Sequence, residues 1–206
     1  MEDILDTYCL PYDPECPVVC MDEKPYQLLG DIVEPLPMSP GKPRRVDSEY
    51  KRNGTCAIFV YAEPLKGWIH AHARQRRTKL DWAQEIRWLI EEKYAHAPKI
   101  RLVTDNLNTH VISSLYEAFP AAQARKLAKR LEIHYTPKRG SWLNIAEIAI
   151  SILARQCLCR RISDIDLLND ELHAWNLLRG LAQKPVNWQF TTDDARIKLK
   201  YLYPAF

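Results

Sequence analysis

"IRLVTDNLNTH", residues 100–110, decides the fold. An apolar, alternating run predicts a buried strand over 100–104. The run stops abruptly at Asp105 and Asn106, and His110 follows one helical turn after Asn106. A strand that ends by delivering a carboxylate fits an open α/β sheet, where ligands gather beyond the carboxyl ends of strands.

The flanking sequence supplies the rest of such a sheet. "PVVCMDEKP" (17–25) reads as a buried strand ending in acids, then a loop. "EPLPMSPGKPRR" (34–45), with four prolines and a glycine, is irregular. "TCAIFVYAE" (55–63) and "GWIHAHA" (67–73) are strand-like, and "PLKG" between them predicts a hairpin. The period then changes to that of a helix over 78–94, with Thr78 and Asp81 as a capping box. After the strand at 100–104 come a helical stretch at 113–131, a strand at 132–137, and a long helix from Asn144 to about Arg160. Ser163 is expected to cap a helix over 164–179, and "TTDDARIKLKYLYP" reads as a short basic helix. Three antiparallel strands followed by crossover units predict a mixed α/β sheet flanked by helices. The expected organisation is a lead-in over 1–16, a main α/β domain over 17–180 and a tail over 181–206.

Composition bounds the possibilities. Of the 206 residues, 47% are hydrophobic and 27% charged, which is globular rather than disordered. No apolar run approaches a membrane span, and the N-terminus lacks the basic and apolar blocks of a secretion signal. A cytoplasmic protein with no membrane association is therefore expected. The six cysteines, at 9, 16, 20, 56, 157 and 159, form no CxxC pair and are read as reduced and structural. The net charge of +3 conceals an asymmetry. Residues 1–41 hold nine acids against Lys24 alone, whereas residues 121–161 hold nine bases against Glu132 and Glu147. A continuous basic segment points to a polyanionic partner.

Three carboxylates stand out by position. Asp22 is read as ending the first strand, Asp105 ends the fourth, and Glu147 lies in the first turn of the long helix. Each has an ordinary alternative: Asp22 as a solvated loop residue, Asp105 with Asn106 as a turn or cap, and Glu147 as a capping partner of Asn144. Clustered together, three acids repel one another and call for cations. Oxygen-only ligands suit Mg²⁺ or Mn²⁺, and a pair of such ions can activate water and stabilise the leaving oxygen of a phosphodiester.

The stretches "VVCMDEKPYQLL", "RVDSEYKRNGTCAIFVYAEPLKGW", "LVTDNLNTHVISSLYEAFP", "LEIHYTPKRGSWLNIAEI" and "RQCLCRRI" resemble the catalytic domain of bacterial insertion-sequence transposases of the mariner-type superfamily. The resemblance runs over nearly the whole chain. It implies a ribonuclease-H-like fold with a DDE triad: the Asp of the "DE" motif at Asp22, the Asp of "DN" at Asp105, and the Glu after "LN" at Glu147. It further implies two Mg²⁺ or Mn²⁺ ions, cleavage of double-stranded DNA at transposon ends, and transfer of the freed 3′-hydroxyl to target DNA. Relatives carry a helix-turn-helix DNA reader before this domain. As this sequence begins almost at the first strand, the expectation is that a partner chain supplies this reader or that the chain is a catalytic fragment; a homodimer is a further expectation. Relatives also carry an acid two residues after the triad Glu, where this chain has Ala149.

Supporting roles are expected for several neighbours. Asn106 would orient Asp105. His110 would face the scissile phosphate or hold a metal-bound water, with a surface or core histidine as the alternative. Trp142 and Asn144 would order the approach to Glu147, Trp142 serving equally well as plain packing. Arg44, Arg45, Lys51, Arg52, Lys138 and Arg139 would contact phosphate. Two rival readings remain open: a nuclease that cleaves without joining, and a catalytically silent, DNA-binding remnant.

Overall fold

A computed structural model describes residues 1–138 and 140–203. Five strands form one mixed sheet in the order β3-β2-β1-β4-β5. They are β1 (Val18–Asp31), β2 (Tyr50–Glu63), β3 (Trp68–Arg74), β4 (Ile100–Thr104) and β5 (Leu131–Tyr135). The first three are antiparallel neighbours, and β1, β4 and β5 run parallel. This is the mixed sheet that the element order predicts.

Alternation along the two central strands divides the apolar residues between two cores. Val18, Cys20 and Leu28 of β1, with Ile58, Val60 and Ala62 of β2, pack under α1 (Glu2–Tyr8), α5 (Ala146–Gln156) and α6 (Ile165–Leu181). Val19 and Met21, with Phe59 and Tyr61, face α2 (Lys79–Trp88), α3 (Ile112–Ala118) and α4 (Ala121–Ala128). Burial on both faces explains why "AIFVYA" is a continuous apolar run rather than an alternating one.

Several boundaries differ from the sequence reading, each for a local reason. β1 does not end at Asp22 but continues to Asp31. Its ladder with β4 covers only Val18–Cys20, so beyond that point it is an edge on one side, where Pro25 is tolerated. The helical stretch at 113–131 divides at Pro120: Phe119 is extended (φ −132°, ψ 156°), as a residue before proline prefers. The helix after Asn144 spans only Ala146–Gln156. Asp164, not Ser163, caps α6, accepting the Leu167 N–H at 2.9 Å. Residues 89–93 continue α2 as a π turn, and the expected Thr78–Asp81 capping box forms. The tail contains α7 (Thr192–Lys198), with its own capping box from Thr191 and Asp194.

One edge of the sheet is closed without a strand. From α6, the Asn176 amide accepts the Ala71 N–H and donates to the Ala71 carbonyl, both at 2.9 Å. Asn169 does the same for Ala73, at 2.9 and 3.2 Å. Two amides thus stand in for a neighbouring strand along β3 and shield an edge that would otherwise template aggregation. Replacing both by leucine strands four backbone groups of β3. The double variant is expected to lose about 2–4 kcal/mol, at roughly 0.5–1 kcal/mol per bond. Thermal denaturation with light scattering should show a lower Tm and earlier aggregation; an unchanged Tm would leave β3 independent of these amides.

Candidate active site

The sheet itself brings two of the acids to one level. Cys20 pairs with Val103 at the last rung between β1 and β4, and Asp22 and Asp105 each lie two residues further on. β4 ends at Thr104 while β1 runs on, which opens a notch beside Asp22. Even-numbered positions of β1 face α5, and so does Asp22. Glu147 is exposed in the first turn of α5.

Asn144 joins these elements. It is 1% exposed, and its Nδ2 donates to the Met21 carbonyl at 2.8 Å and to Asp22 Oδ2 at 3.3 Å. Its Oδ1 accepts the Ala146 N–H at 3.1 Å. The side chain therefore holds the start of α5 against the strand that carries Asp22. Tyr8 secures the same turn from the far side. Its hydroxyl donates to the Leu143 carbonyl at 2.8 Å and accepts the Ile145 N–H at 3.3 Å. Glu147 forms no side-chain cap, so the capping-box reading of Asn144 with Glu147 does not hold.

The acids feel one another. Burial raises the Asp22 carboxyl to about 6; the Glu23 N–H, donating to Asp22 Oδ1 at 2.7 Å, opposes that rise, and the charges of Glu147, Asp105 and Glu23 add to it. Among the described residues, no group of three or more His, Cys, Asp or Glu side chains is arranged to hold a metal ion.

His110 takes the alternative place, that of a core histidine. It is fully buried, so it faces neither a phosphate nor a metal-bound water at the surface. Its Nδ1 is 2.6 Å from Asp105 Oδ1, and its Nε2 is 2.9 Å from Glu23 Oε1. Burial lowers the imidazolium pKa, but the bonds to Asp105 and Glu23 outweigh it and lift it to about 9. Asn106 is exposed, and it is His110 rather than Asn106 that grips Asp105. Trp142 is half-exposed and meets Phe190 edge-on at 6.2 Å, a packing contact. Glu23 and Tyr8 escaped the sequence reading. Continuing the strand alternation past Asp22 puts Glu23 on the opposite face; nothing local marks Tyr8.

The basic residues divide into groups. Lys138 is exposed and lines a cleft with Asp105, Asn106 and Ser141. Arg44 lines a second groove with Lys24, Tyr26, Arg160 and Arg161. Arg161 is engaged there, paired with Asp31 at 2.8 Å and donating to the Asp47, Ser48 and Glu49 carbonyls. It thereby anchors the arm carrying Arg44 and Arg45. Lys51 and Arg52 pair with Gly30 and Leu29, so they sit roughly 23 Å along β1 from Asp22 at ~3.3 Å per residue. They are not at the acid site. Arg139 lies outside the described residues.

A family model described as DDE superfamily endonuclease matches residues 17–169. Among solved structures, the Mos1 mariner paired-end complex with Mn is similar at 14% identity and TM-score 0.54, over 85% of this chain and 52% of that one. A Mos1 transposase paired-end complex with left transposon end matches at 12% identity and TM-score 0.31, over 82% and 56%. The chain spans about half the length of these structures. The first likeness bears out the ribonuclease-H-like fold. No curated protein matches the chain.

The strain on Asp22 has a sign. Its folded pKa lies above the ordinary value, so folding loses stability as pH rises from about 4 to about 6, and the loss persists above that. Asp22→Asn is therefore expected to raise Tm by about 2–4 °C at pH 7.5 in chelator. The difference should narrow towards pH 4.5 in scanning calorimetry; an equal Tm at both pH values would contradict the charge penalty.

Proposed function

This chain belongs to the DDE superfamily of endonucleases, and from that premise we propose that it is the catalytic domain of a mariner-type transposase, cutting double-stranded DNA at transposon ends and joining the freed 3′-hydroxyl to target DNA. The observation that carries the reading is geometric: Asp22 and Asp105 lie two residues beyond the same rung of the sheet, and Asn144 ties Asp22 to the first turn of α5, which carries Glu147.

The donor set fits hard divalent cations. Asp22, Asp105 and Glu147 offer only oxygen, and their uncompensated repulsion is what Mg²⁺ or Mn²⁺ would relieve. A pair of such ions would supply Lewis acidity for phosphodiester hydrolysis and strand transfer. The chain's own residues bind and orient. Lys138, exposed at the rim beside Asp105, takes a phosphate near the cleavage point. Asn144 keeps Asp22 and the first turn of α5 together. Arg44, Arg45, Lys51 and Arg52 contact phosphates further along the duplex. No side-chain nucleophile is required, because water and then the 3′-hydroxyl attack. DNA-end recognition by a helix-turn-helix region, on a partner chain or elsewhere in a longer protein, and pairing of two copies complete the proposal.

Asp22→Asn, Asp105→Asn and Glu147→Gln should each abolish Mg²⁺- or Mn²⁺-dependent nicking of plasmid DNA while circular dichroism stays unchanged. Full activity in any one removes that residue from the triad. Joining of pre-cut ends to a target separates a transposase from a nuclease that only cleaves. Alone, the chain should bind DNA with little sequence preference. With phosphate contacts from Lys138, Arg44, Arg45, Lys51 and Arg52, affinity should fall roughly 500-fold between about 50 and 200 mM salt. Tight, salt-insensitive binding to one terminal sequence would count against it.

A further inference from the structure

Asp22 and Glu23 are consecutive residues of β1, so their side chains leave opposite faces of the sheet. Asp22 faces α5, whereas Glu23 enters the α2–α4 face and is 9% exposed. There it meets His110, whose Nε2 hydrogen-bonds Glu23 Oε1 at 2.9 Å and whose Nδ1 makes an ion-pair contact, outside hydrogen-bond geometry, with Asp105 Oδ1 at 2.6 Å. The ring is held on every side. Trp82 stacks on it with centroids 5.8 Å apart, Thr104 Oγ1 is 3.1 Å from Nδ1, and the Tyr135 hydroxyl donates to the His110 carbonyl at 2.7 Å. Glu23 Oε2 has no hydrogen-bond partner among the described residues, and its nearest cation is Arg77 at 3.9 Å. Through its backbone the same residue donates to Asp22 Oδ1 at 2.7 Å. One residue therefore fastens both aspartates: Asp22 directly, and Asp105 through His110.

We propose that Glu23 and His110 are positioning residues of the acid site, setting the orientation of Asp105 from the opposite face of the sheet so that one of its oxygens is occupied and the other is presented to a divalent cation. The inference rests on the metal-holding role proposed for Asp22, Asp105 and Glu147. Its physical basis is general. A flexible carboxylate among like charges turns outward unless something holds it, and partners behind a ligand typically govern metal affinity by about 10–100-fold.

Mn²⁺ affinity of the full chain, read from the free-ion signal in electron paramagnetic resonance, tests this alongside Tm. Glu23→Gln keeps the shape of the side chain, and His110→Phe keeps the stack on Trp82; both are expected to bind Mn²⁺ about 10-fold or more weakly. Glu85→Gln supplies the control for stability alone. Glu85 is buried on the same face, bonded to Tyr61, His72 and Arg74, and has no link to the acids. It should lower Tm and leave Mn²⁺ affinity unchanged. Wild-type affinity in both Glu23→Gln and His110→Phe, with affinity lost in Asp22→Asn, overturns the positioning role while the metal reading stands. A wild-type chain whose Mn²⁺ binding is absent, or is indifferent to Asp22→Asn, overturns both.

Discussion

The burial of the Asp22 carboxylate, with other acids near it, at the notch where β1 outruns β4 is the constraint around which the rest is arranged. An Asp with its carboxyl raised to about 6 is a group the fold holds against its preference. It stays there because β1 is the central strand, paired with β2 along nearly its whole length, and cannot yield locally. Removing that charge relaxes the fold.

The supports around that notch come from both faces. On the α5 side, Asn144 and Tyr8 fix a short turn by four polar contacts, so the first turn of α5 has one place to be. Tyr8 belongs to α1, which in turn is tied to α7 through Arg196 with Glu2 and Thr192 with Asp6. The two ends of the described chain therefore meet behind the site and brace it. On the opposite face, His110 and Glu23 hold the loop after β4. Buried ionic groups of this kind add little net stability over an apolar replacement of equal volume.

The basic residues follow a different logic. They spread from Lys138, beside Asp105, to Lys51 and Arg52 far along β1. Spacing over tens of ångströms suits an extended polyanion better than a small anion, for which the charges would converge. Arg161 shows how such a surface is built. It is itself consumed by Asp31 and three carbonyls, and through those bonds it carries the arm that presents Arg44 and Arg45.

The sequence by itself determined the five strands, the mixed sheet and the end of β4 just before Asp105. These rest on local periodicity and on where apolar runs stop, and both survive folding because they are properties of neighbouring residues. It did not reveal that β1 continues past Asp22, because Pro25 and three charges resemble a loop until the absence of β4 on that side is known. Nor could it place His110. A histidine five residues after Asp105 suits a surface ligand equally well; only the return of the loop beneath β4, and Glu23 waiting on the far face, bury it. Tyr8 was invisible for the same reason, as its partners lie 135 and 137 residues away. Such contacts are products of topology, and no local spacing encodes them.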